Sequence, residues 1–517
     1  MENKSILLIG FYNTKALGVR YLERALIRSG FKVYTLFIKN FNSTSPEAVS
    51  EKELLLLKDL IRTLDPAMIG LSVMSTLYFE SVIKVNELIR KNFSIPIVWG
   101  GIYASLFPEK SLEHADFALR GEGEEAIAEL ADAILNGTPY QNILNLAYRD
   151  TADSVVTNDL RPLCMTLDEL GYPLFYQNNK YFIESGRLLH EDPMLRSVSY
   201  ELTASRGCPF TCSYCSSVNL RRMYGKNGNH VRFRSVSSII SELEEALIHM
   251  KNLKVVHFWD EIFPDNSNWI GEFACQYKNK IRLPFEIWGH PLKTQEHIIS
   301  KLVDAGLYKV VMGIQSGSPS IRKEVFHRTE TQEDILNAAR ILSSQRVPQI
   351  SYDFMLRHPF EKEEDIRMTY ELCAKLARPF ELQLHGLSFL PGTDIIKIAR
   401  RKGISGWENL ESGISASLQE SYRTHWGMQN SNTMINFWYS LIYISQFKIG
   451  KILSQYFCNA AKSGLNVQIV VNLPRLCYPA LVIRYCRKKA VLLFRAALSK
   501  TGRMKPARNA VQYSEGK

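Results

Sequence analysis

Short apolar runs alternate with amphipathic segments over the first 145 residues. Apolar runs at 6–10, 32–38, 67–73 and 95–101 predict buried strands, and the segments between them carry apolar residues at helical spacing. Strand, helix and strand in this order predict parallel pairing with right-handed crossovers. The pattern therefore predicts an α/β domain with a doubly wound parallel sheet over residues 1–145, in which ligands bind at the carboxyl ends of the strands.

A second alternation of strands and helices occupies residues 196–425. Six strands, each followed by a helix, are predicted at 197–207, 254–263, 285–290, 308–318, 349–356 and 380–393. Six such units predict a partial (β/α)6 barrel of the TIM type, with its active site at the carboxyl ends of the strands. Residues 146–195, which include a candidate hairpin, are predicted to be a linker. Residues 426–517 predict a helical C-terminal region with basic faces.

Composition and charge agree with this division. A length of 517 residues is too great for one ordinary core, and 46% hydrophobic with 22% charged residues is typical of a globular chain. The formal charge of +11 would suggest nucleic-acid binding, but residues 431–517 alone hold 14 Lys and Arg and one acidic residue. Since the rest of the chain is nearly neutral, the basic character belongs to the tail, and no nucleic-acid partner is expected.

Three of the nine cysteines lie within eight residues, at Cys208, Cys212 and Cys215. Such spacing indicates metal ligands, because one loop can bring three thiolates to three irons of a [4Fe-4S] cluster and leave the fourth iron open. A zinc site with His230 or another cysteine as fourth ligand, or three structural thiols, are the alternatives. The other cysteines are scattered and the N-terminus shows no signal-peptide pattern, so we expect a cytoplasmic protein.

The segment CPFTCSYC, residues 208–215, resembles the CxxxCxxC signature of the radical S-adenosylmethionine (radical SAM) superfamily, including the aromatic Tyr214. The resemblance implies that the open iron binds the amino and carboxylate groups of SAM. It further implies that the reduced cluster cleaves SAM to a 5'-deoxyadenosyl radical. A one-electron donor such as flavodoxin or ferredoxin is the implied partner.

Polar residues at the ends of the predicted barrel strands are candidate SAM contacts. Two carboxylates follow the second strand, in a position that resembles the amine-binding motif of the family, and can hold the SAM ammonium by charge-assisted hydrogen bonds. The segment GIQSGS after the fourth strand resembles the GIESGS of the subfamily. The residues expected to bind SAM are Tyr214, Asp260, Glu261, Gln315, Ser316, Tyr352 and Ser388. We assign no catalytic acid or base.

The strand ends of the first domain resemble those of the Rossmann-like cobalamin-binding domain in the B12-dependent radical SAM subfamily. Small and polar residues follow several strands, and RGEGEEA at 120–126 places glycines beside a helix start, where the backbone can approach a ligand closely. The residues expected to contact cobalamin are Asn13, Thr14, Gly18, Ser72, Thr76, Gly100, Gly101, Gly121, Glu122 and Gly123.

One departure from that family pattern concerns the cobalt ligand. Many cobalamin domains carry DxHxxG with the histidine as lower axial ligand, whereas residues 13–18 read NTKALG and place Lys15 at the histidine position. An ammonium has no lone pair, so Lys15 ligates cobalt only when deprotonated. Two interpretations stay open: cobalamin binds without a lower ligand from the protein, or the domain is vestigial.

The function implied by these resemblances is radical chemistry at an unactivated carbon of a small-molecule or lipid-like substrate, with methylation first and cyclisation or rearrangement as alternatives. A tRNA methylthiolase is disfavoured because residues 1–163 contain no cysteine for a second cluster. A noncatalytic cobalamin or redox sensor is the alternative from another class. The basic tail lacks the ~20 apolar residues needed to span a bilayer, and predicts either peripheral contact with an anionic membrane or a helical cap on the barrel.

Overall fold

The computed structural model describes residues 5–41, 47–74, 78–175, 178–225, 230–387, 389–390, 392–404, 432–462 and 468–471, together with 486 and 490. The predicted cobalamin contact Thr76, the predicted SAM contact Ser388 and most of the predicted basic region lie outside these residues.

Nine strands form the first sheet. They are β1 (Ser5–Phe11), β2 (Lys32–Ile38), β3 (Pro66–Ser72), β4 (Ile97–Gly100), β5 (Phe117–Leu119), β6 (Leu146–Arg149), β7 (Val155–Thr157), β8 (Lys180–Glu184) and β9 (Arg187–Leu189). Their order is β7-β6-β5-β4-β3-β1-β2-β8-β9. Strands β1 to β4 are parallel as predicted, and β5, which was not predicted, extends the parallel sheet. Residues 146–195, expected to be a linker, supply strands at both edges: β6 and β7 form the predicted hairpin, and β8 pairs in parallel with β2.

Helices cover both faces of this sheet, which makes the domain doubly wound. They are α1 (Leu17–Arg28), α2 (Glu51–Leu64), α3 (Phe79–Asn92), α4 (Ile102–Leu106), α5 (Pro108–Ser111) and α6 (Glu124–Asn136). Alternate residues of β1 point to opposite faces. Leu7 and Ile9 belong to the core that includes residues of α2 and α3, whereas Ile6 and Leu8 belong to the core that includes residues of α1 and α6.

The later strands confirm the predicted partial barrel. They are β10 (Ser199–Leu202), β11 (Ser205–Arg206), β12 (Arg232–Phe233), β13 (Val255–Phe258), β14 (Phe285–Gly289), β15 (Leu307–Gln315), β16 (Gln349–Leu356) and β17 (Glu381–Gly386). Six of them form one parallel sheet in the order β10-β13-β14-β15-β16-β17, so neighbours in the sheet follow the chain direction. The short strands β11 and β12 pair antiparallel outside this sheet.

Five helices pack on one face of the barrel sheet: α8 (Val236–His249), α9 (Ser267–Lys280), α10 (Glu296–Ala305), α11 (Gln332–Ser344) and α12 (Glu363–Lys375). Two further helices, α7 (Ser216–Met223) and α13 (Asp394–Arg401), contribute no residue to the core on that face. On β16, Ile350, Tyr352 and Phe354 belong to the core shared with the five helices. Ser351 and Asp353 therefore lie on the opposite face, toward the barrel interior.

The described C-terminal residues form α14 (Thr433–Ser445), α15 (Lys448–Lys462) and α16 (Gln468–Val471). The side chains of Phe437 and Leu441 on α14 are buried in the barrel core, and Arg378 donates a 3.0 Å hydrogen bond to the carbonyl of Gln446. This helix is thus a cap on the barrel. Within the described ranges, every helix is too short or too polar to cross a bilayer.

Candidate cofactor and active site

The cysteine loop begins directly after β11 and ends where α7 starts. Gly207 has a φ of 94°, and a Cβ atom there would lie 1.9 Å from the carbonyl oxygen of His230. Only glycine permits this close approach. Cys215 is the N-cap residue of α7. The strand pair and the helix thereby fix both ends of a loop whose three cysteines are free and partly exposed.

The chemistry of these thiols fits an iron–sulfur cluster. Burial raises the pKa of Cys208 to about 11 and also raises the pKa of Cys212. The protein alone therefore keeps both as thiols near neutral pH, whereas coordination to a metal ionises them. Three such donors on one loop match a [4Fe-4S] cluster with one open iron. In the part of the chain that the structure describes, no three His, Cys, Asp or Glu side chains are arranged to hold a single metal ion.

The cysteine loop borders a space that continues into the first domain. A cavity of about 260 Å³ is lined by Cys208 and Glu261 among others. A second cavity of about 400 Å³ lies between the strand ends of the first sheet and residues that follow β10 and β13. Residues common to both walls are Met74, Gly101, Gly121, Glu122, Arg206, Leu220 and Glu261. The cofactor sites expected in the two domains therefore adjoin each other.

The two carboxylates after β13 occupy different environments. Asp260 is fully buried and accepts hydrogen bonds from the backbone N–H of Ala204, at 3.1 Å, and from the hydroxyl of Ser205. It stabilises the turn between β10 and β11, and burial raises its pKa to about 7. Glu261 instead lines both cavities. Of the two predicted SAM contacts, Glu261 is the one placed beside the cysteine loop.

The two predicted contacts after β15 also differ. Gln315 has a φ of 70°, and its amide nitrogen would lie 2.4 Å from a Cβ atom built on Gly313. Its side chain therefore folds back over the end of the strand, a conformation that the absence of a side chain at Gly313 permits. Ser316 is buried, and its hydroxyl accepts a 3.1 Å hydrogen bond from the backbone N–H of Ser318. The structure places Ser316 inside the turn.

On β16, the predicted contact Tyr352 points away from the barrel interior. It is fully buried, and its ring lies 5.6 Å from that of Phe380 in the core shared with the helices. Its neighbour Asp353 lies on the interior face, and burial raises the pKa of this carboxyl to about 7. Asp353 Oδ1 has no hydrogen-bond partner among the described residues. The alternation of apolar and polar residues in QISYDFML already distinguishes the two faces of this strand.

A buried arginine beside the cysteines was absent from the sequence predictions. Arg328 lies 3.2 Å from the Tyr214 hydroxyl and 3.9 Å from Cys212 Sγ. It also pairs with Glu330 and lies 3.0 Å from His290 Nε2. Burial, with the Arg328 charge, lowers the pKa of His290 to about 3, so the ring is neutral. Arg328 thus holds Tyr214, which was predicted to contact SAM. In the sequence, Arg328 lies in the segment HRTE (327–330), beyond the end of a predicted strand, and that segment alone does not indicate the contact.

Most of the predicted cobalamin contacts line the 400 Å³ cavity. They are Gly18, Ser72, Gly100, Gly101, Gly121, Glu122 and Gly123. At Gly101, where φ is 100°, a Cβ atom would lie 2.8 Å from the carbonyl oxygen of Val73. Leu8, Val98 and Ile127 add apolar wall. Glycines at the rim and an apolar wall fit a large organic cofactor.

The first two predicted contacts lie away from that cavity wall. The Asn13 side chain accepts hydrogen bonds from the backbone N–H groups of Lys15 and Ala16, at 2.9 and 3.0 Å. The Thr14 hydroxyl donates to Asn40 at 3.1 Å. Both side chains stabilise the turn after β1.

Lys15 is engaged in an ion pair between the two domains. Its Nζ lies 2.6 Å from a carboxylate oxygen of Glu201 and 2.7 Å from the hydroxyl of Ser199, both on β10. A carboxylate and a hydroxyl at these distances suit a protonated amine. The lysine at the histidine position therefore contacts the barrel, in agreement with cobalamin binding without a ligand from this residue.

Glu122 connects the glycine rim to the cysteine loop. Its carboxylate pairs with Arg232 at 2.7 Å and with Arg206 at 3.2 Å, and these arginines lower its pKa despite burial. Its backbone N–H donates a 2.8 Å hydrogen bond to the hydroxyl of Tyr224. Arg206 immediately precedes Gly207, so the ion pairs of Glu122 hold the glycines of the cobalamin cavity against the cysteine loop. Glu122 was predicted to contact cobalamin, and its carboxylate is held by these two arginines.

Comparison with known families agrees with this division of the site. The B12 binding domain family matches residues 11–131 and the radical SAM superfamily matches residues 202–373. The chain is a radical SAM protein with a B12-binding domain. The predicted family and fold are confirmed, and the radical SAM match favours an iron–sulfur cluster over zinc at the cysteine loop. The two matched families imply a [4Fe-4S] cluster, SAM and cobalamin as the cofactors of the two domains.

Several curated proteins are similar to this radical SAM protein. An uncharacterized methyltransferase of Pyrococcus horikoshii is 25% identical over 327 residues, which cover 61% of this chain and 66% of that protein. The anaerobic magnesium-protoporphyrin IX monomethyl ester cyclase of Cereibacter sphaeroides is 25% identical over 369 residues, 69% of this chain and 55% of the cyclase. Cytidylyl-2-hydroxyethylphosphonate methyltransferase of Streptomyces wedmorensis is 22% identical over 356 residues, 61% of this chain and 64% of that enzyme. These alignments span roughly half to two thirds of the relatives' length.

Solved structures share the fold. The radical SAM methyltransferase TsrM from Kitasatospora setae, with cobalamin and a [4Fe-4S] cluster bound, has a TM-score of 0.59 at 18% identity and covers 77% of this chain and 78% of its own. The cobalamin-dependent enzyme OxsB, with aqua-cobalamin and SAM bound, has a TM-score of 0.63 at 14% identity and covers 98% of this chain and 85% of its own. At these identities the likeness concerns the fold.

Proposed function

We propose that this radical SAM protein is an enzyme that uses cobalamin to methylate an unactivated carbon of a small molecule in a biosynthetic pathway. The observation that carries the proposal is the continuous space between the glycine rim of the first domain and Cys208 on the cysteine loop. The curated relatives include methyltransferases and a cyclase. Cyclisation or rearrangement is therefore the second outcome.

Different residues of the chain would hold the cluster and SAM. Cys208, Cys212 and Cys215 would hold the cluster. Glu261, beside Cys208 in the cavity wall, would accept hydrogen bonds from the SAM ammonium. Gln315, at the end of β15, and Asp353, on the interior face of the adjacent strand β16, would contact the rest of SAM.

When bound, the reduced cluster supplies a 5'-deoxyadenosyl radical from SAM, and cobalamin supplies the methyl group. A one-electron donor such as flavodoxin or ferredoxin would provide the reducing electron. The cysteines of the loop are partly exposed, which suits that transfer. The buried Arg328 would place a positive charge beside Cys212 and balance negative charge there.

Anaerobic reconstitution with iron, sulfide and cobalamin tests the proposal. We expect iron and cobalt to be retained and SAM to be converted to 5'-deoxyadenosine under reduction. A cluster-loaded protein that never cleaves SAM would favour a redox sensor. SAM cleavage by a protein that retains no cobalt would favour a vestigial first domain and a cobalamin-independent enzyme.

We further infer that α15 contacts an anionic membrane surface, which would suit a lipid-like substrate. Three apolar residues at helical spacing, Ile449, Ile452 and Tyr456, are 72%, 68% and 64% exposed. Lys448 and Lys451 lie on the same helix. An apolar stripe next to lysines is the pattern of an interfacial helix.

Flotation with vesicles of phosphatidylglycerol tests membrane contact. The variant Ile452→Asp should no longer float with these vesicles. Binding of the unchanged protein should weaken at high salt. Ile248→Asp is a matched control, because Ile248 is 69% exposed on α8, in the barrel. Equal binding by both variants would exclude contact through α15.

A further inference from the structure

A cleft of about 730 Å³ adjoins the cavity beside the cysteine loop. Tyr224 and Leu163 line both spaces, so the cleft and the cavity share a wall. Leu160, Met165 and Met223 form an apolar part of the remaining cleft surface, beside polar residues such as Thr157 and Asn158. The cleft therefore offers both apolar and polar walls on the approach to the cavity that includes Cys208.

One cation in this cleft, Arg120, forms no ion pair with a described residue. Arg120 is half-buried, its Nη1 lies 3.4 Å from the carbonyl oxygen of Asn158, and its buried Nε has no hydrogen-bond partner among the described residues. By contrast, Arg161 in the same cleft is paired with Glu125 at 2.9 Å and Glu129 at 2.7 Å. A half-buried, unpaired guanidinium is costly, which favours a role in holding an anion.

The other charges near Arg120 do not neutralise it. Asp159 also lines the cleft, but it is exposed to solvent and forms no ion pair with Arg120. Glu109 acts on Arg120 only through its more distant charge, and burial lowers the pKa of the guanidinium. The charge of Arg120 thus remains available to a ligand in the cleft.

The backbone at this position is fixed independently of the arginine side chain. The N–H of Arg120 donates a 2.9 Å hydrogen bond to the carbonyl of Asn145. The N–H of the next residue, Gly121, donates to the hydroxyl of Ser105 at 2.9 Å. Gly121 lines the cobalamin cavity, so the backbone that carries Arg120 continues directly into that cavity wall.

We propose that the cleft is the substrate's outer binding site, in which Arg120 binds a carboxylate or phosphate and the apolar walls bind the adjoining hydrocarbon. This inference rests on the proposed function, because it assigns a substrate class to the same cavity system. The substrate is accordingly an amphiphilic organic anion. Its reacting carbon faces Tyr224 and the cysteine loop, while its charged end stays in the cleft.

Fluorescence binding to the reconstituted protein tests this site without any turnover. The probe is 8-anilinonaphthalene-1-sulfonate, which joins an apolar body to an anionic group, and the matched uncharged probe is N-phenyl-1-naphthylamine. In Arg120→Gln, the affinity for the sulfonate should fall about tenfold, the loss expected for a hydrogen bond to a charged group, while the affinity for the neutral amine stays unchanged. Arg120→Lys should restore most of the sulfonate affinity.

Displacement distinguishes the two kinds of anion. Octanoate, octyl phosphate and octanol are each titrated against the bound sulfonate probe. Displacement by octanoate or by octyl phosphate, but not by octanol, supports the site and ranks carboxylate against phosphate. Competition by octanol that equals competition by both anions would overturn the proposal.

Two further outcomes would also overturn it. Sulfonate affinity that is the same in Arg120→Gln as in the unchanged protein would show that Arg120 binds no anion. A fall in the affinity for both probes would assign Arg120 a structural role. Neither result depends on SAM cleavage, which tests the proposed function separately. Failure of this inference is therefore distinguishable from failure of the proposed function.

Discussion

The cysteine loop and the turn after β1 are both places where the sequence suggests a metal ligand, and they differ in how the folded chain uses them. Cys208 lines an open cavity. Lys15, at the position of a cobalt-binding histidine, is taken up by Glu201 and Ser199 of the barrel. A side chain that could bind a metal and lines a cavity remains available to a cofactor. A side chain that is paired with other residues of the protein instead stabilises the contact between the domains.

The same distinction separates neighbouring residues elsewhere. Glu261 faces the cavities, whereas Asp260 beside it is satisfied by the turn between β10 and β11. Gly121 lines the cavities through its backbone, whereas the carboxylate of Glu122 is held by arginines. Four predictions follow the contrast between the cysteine loop and the Lys15 turn, beginning with the largest effect.

Removal of a cysteine from the loop should abolish the cluster. In Cys212→Ala, we expect iron content to fall to background and 5'-deoxyadenosine formation to fall at least about a thousandfold, because an iron loses its only protein ligand. Iron analysis and electron paramagnetic resonance of the reduced protein measure this. Cys275→Ala is the control, since Cys275 is exposed on α9. A full cluster in Cys212→Ala would contradict the assignment.

Substitutions of the two carboxylates after β13 should affect SAM binding and protein stability differently. In Glu261→Gln, the Kd for SAM should rise by about tenfold or more, since a charge-assisted hydrogen bond to the ammonium is weakened. Asp260→Asn should change the Kd less and lower the thermal stability more, because Asp260 holds Ala204 and Ser205. Anaerobic equilibrium dialysis and thermal melting give the two quantities. A larger Kd effect in Asp260→Asn would reverse these roles.

Loss of the Lys15 ammonium should weaken the contact between the domains and leave cobalamin bound. Lys15→Met leaves Glu201 half-buried without its partner, so we expect about 2 kcal/mol of lost unfolding free energy, discounted for partial exposure. Cobalt content should be unchanged. Lys84→Met, in an exposed pair with Glu80, is the control and should cost less than about 0.5 kcal/mol. Cobalt lost in Lys15→Met alone would return Lys15 to the cobalamin site.

The smallest effect concerns pH and the interior carboxyl of Asp353. Its folded pKa of about 7 lies above the value of an unfolded aspartate. The folded state therefore binds more protons, and stability should fall as pH rises toward 7 and level off above it. Between pH 6 and 7, the loss from this group should be about 1 kcal/mol. Urea unfolding without SAM measures this loss. The fall in unfolding free energy between pH 6 and 7 should be smaller in Asp353→Asn than in the unchanged protein, and an identical fall would contradict the assignment.

The local signals in the sequence were sufficient for the architecture and for the cysteine loop. The parallel sheets followed from the alternation of apolar runs with helical segments, because strand, helix and strand in this order favour parallel pairing. The faces of β16 were also readable, yet Tyr352 was predicted to reach SAM because it lies near a strand end. Alternation along the strand puts Tyr352 in the helix-facing core and Asp353 on the interior face.

Other features depend on contacts between distant parts of the chain. Residues 146–195 look like a linker because their strands are short. The hairpin of β8 and β9 joins the sheet through the pairing of β8 with β2, about 145 residues earlier. Arg328 reaches Cys212 from a segment 116 residues away. The partners of Lys15 and Glu122 likewise come from the other domain. Periodicity within a segment cannot reveal such pairings.

The ion pairs of Glu122 bear on how the chain can be divided. The two family matches suggest a natural cut between residues 131 and 202. A fragment that begins after such a cut would keep Arg232, whose side chain is 5% exposed, and would lose the carboxylate that neutralises it. It would also lose the partners of Arg206 beside the cysteine loop. The barrel and the cofactor domain are separate in sequence, yet each completes the charge balance of the other.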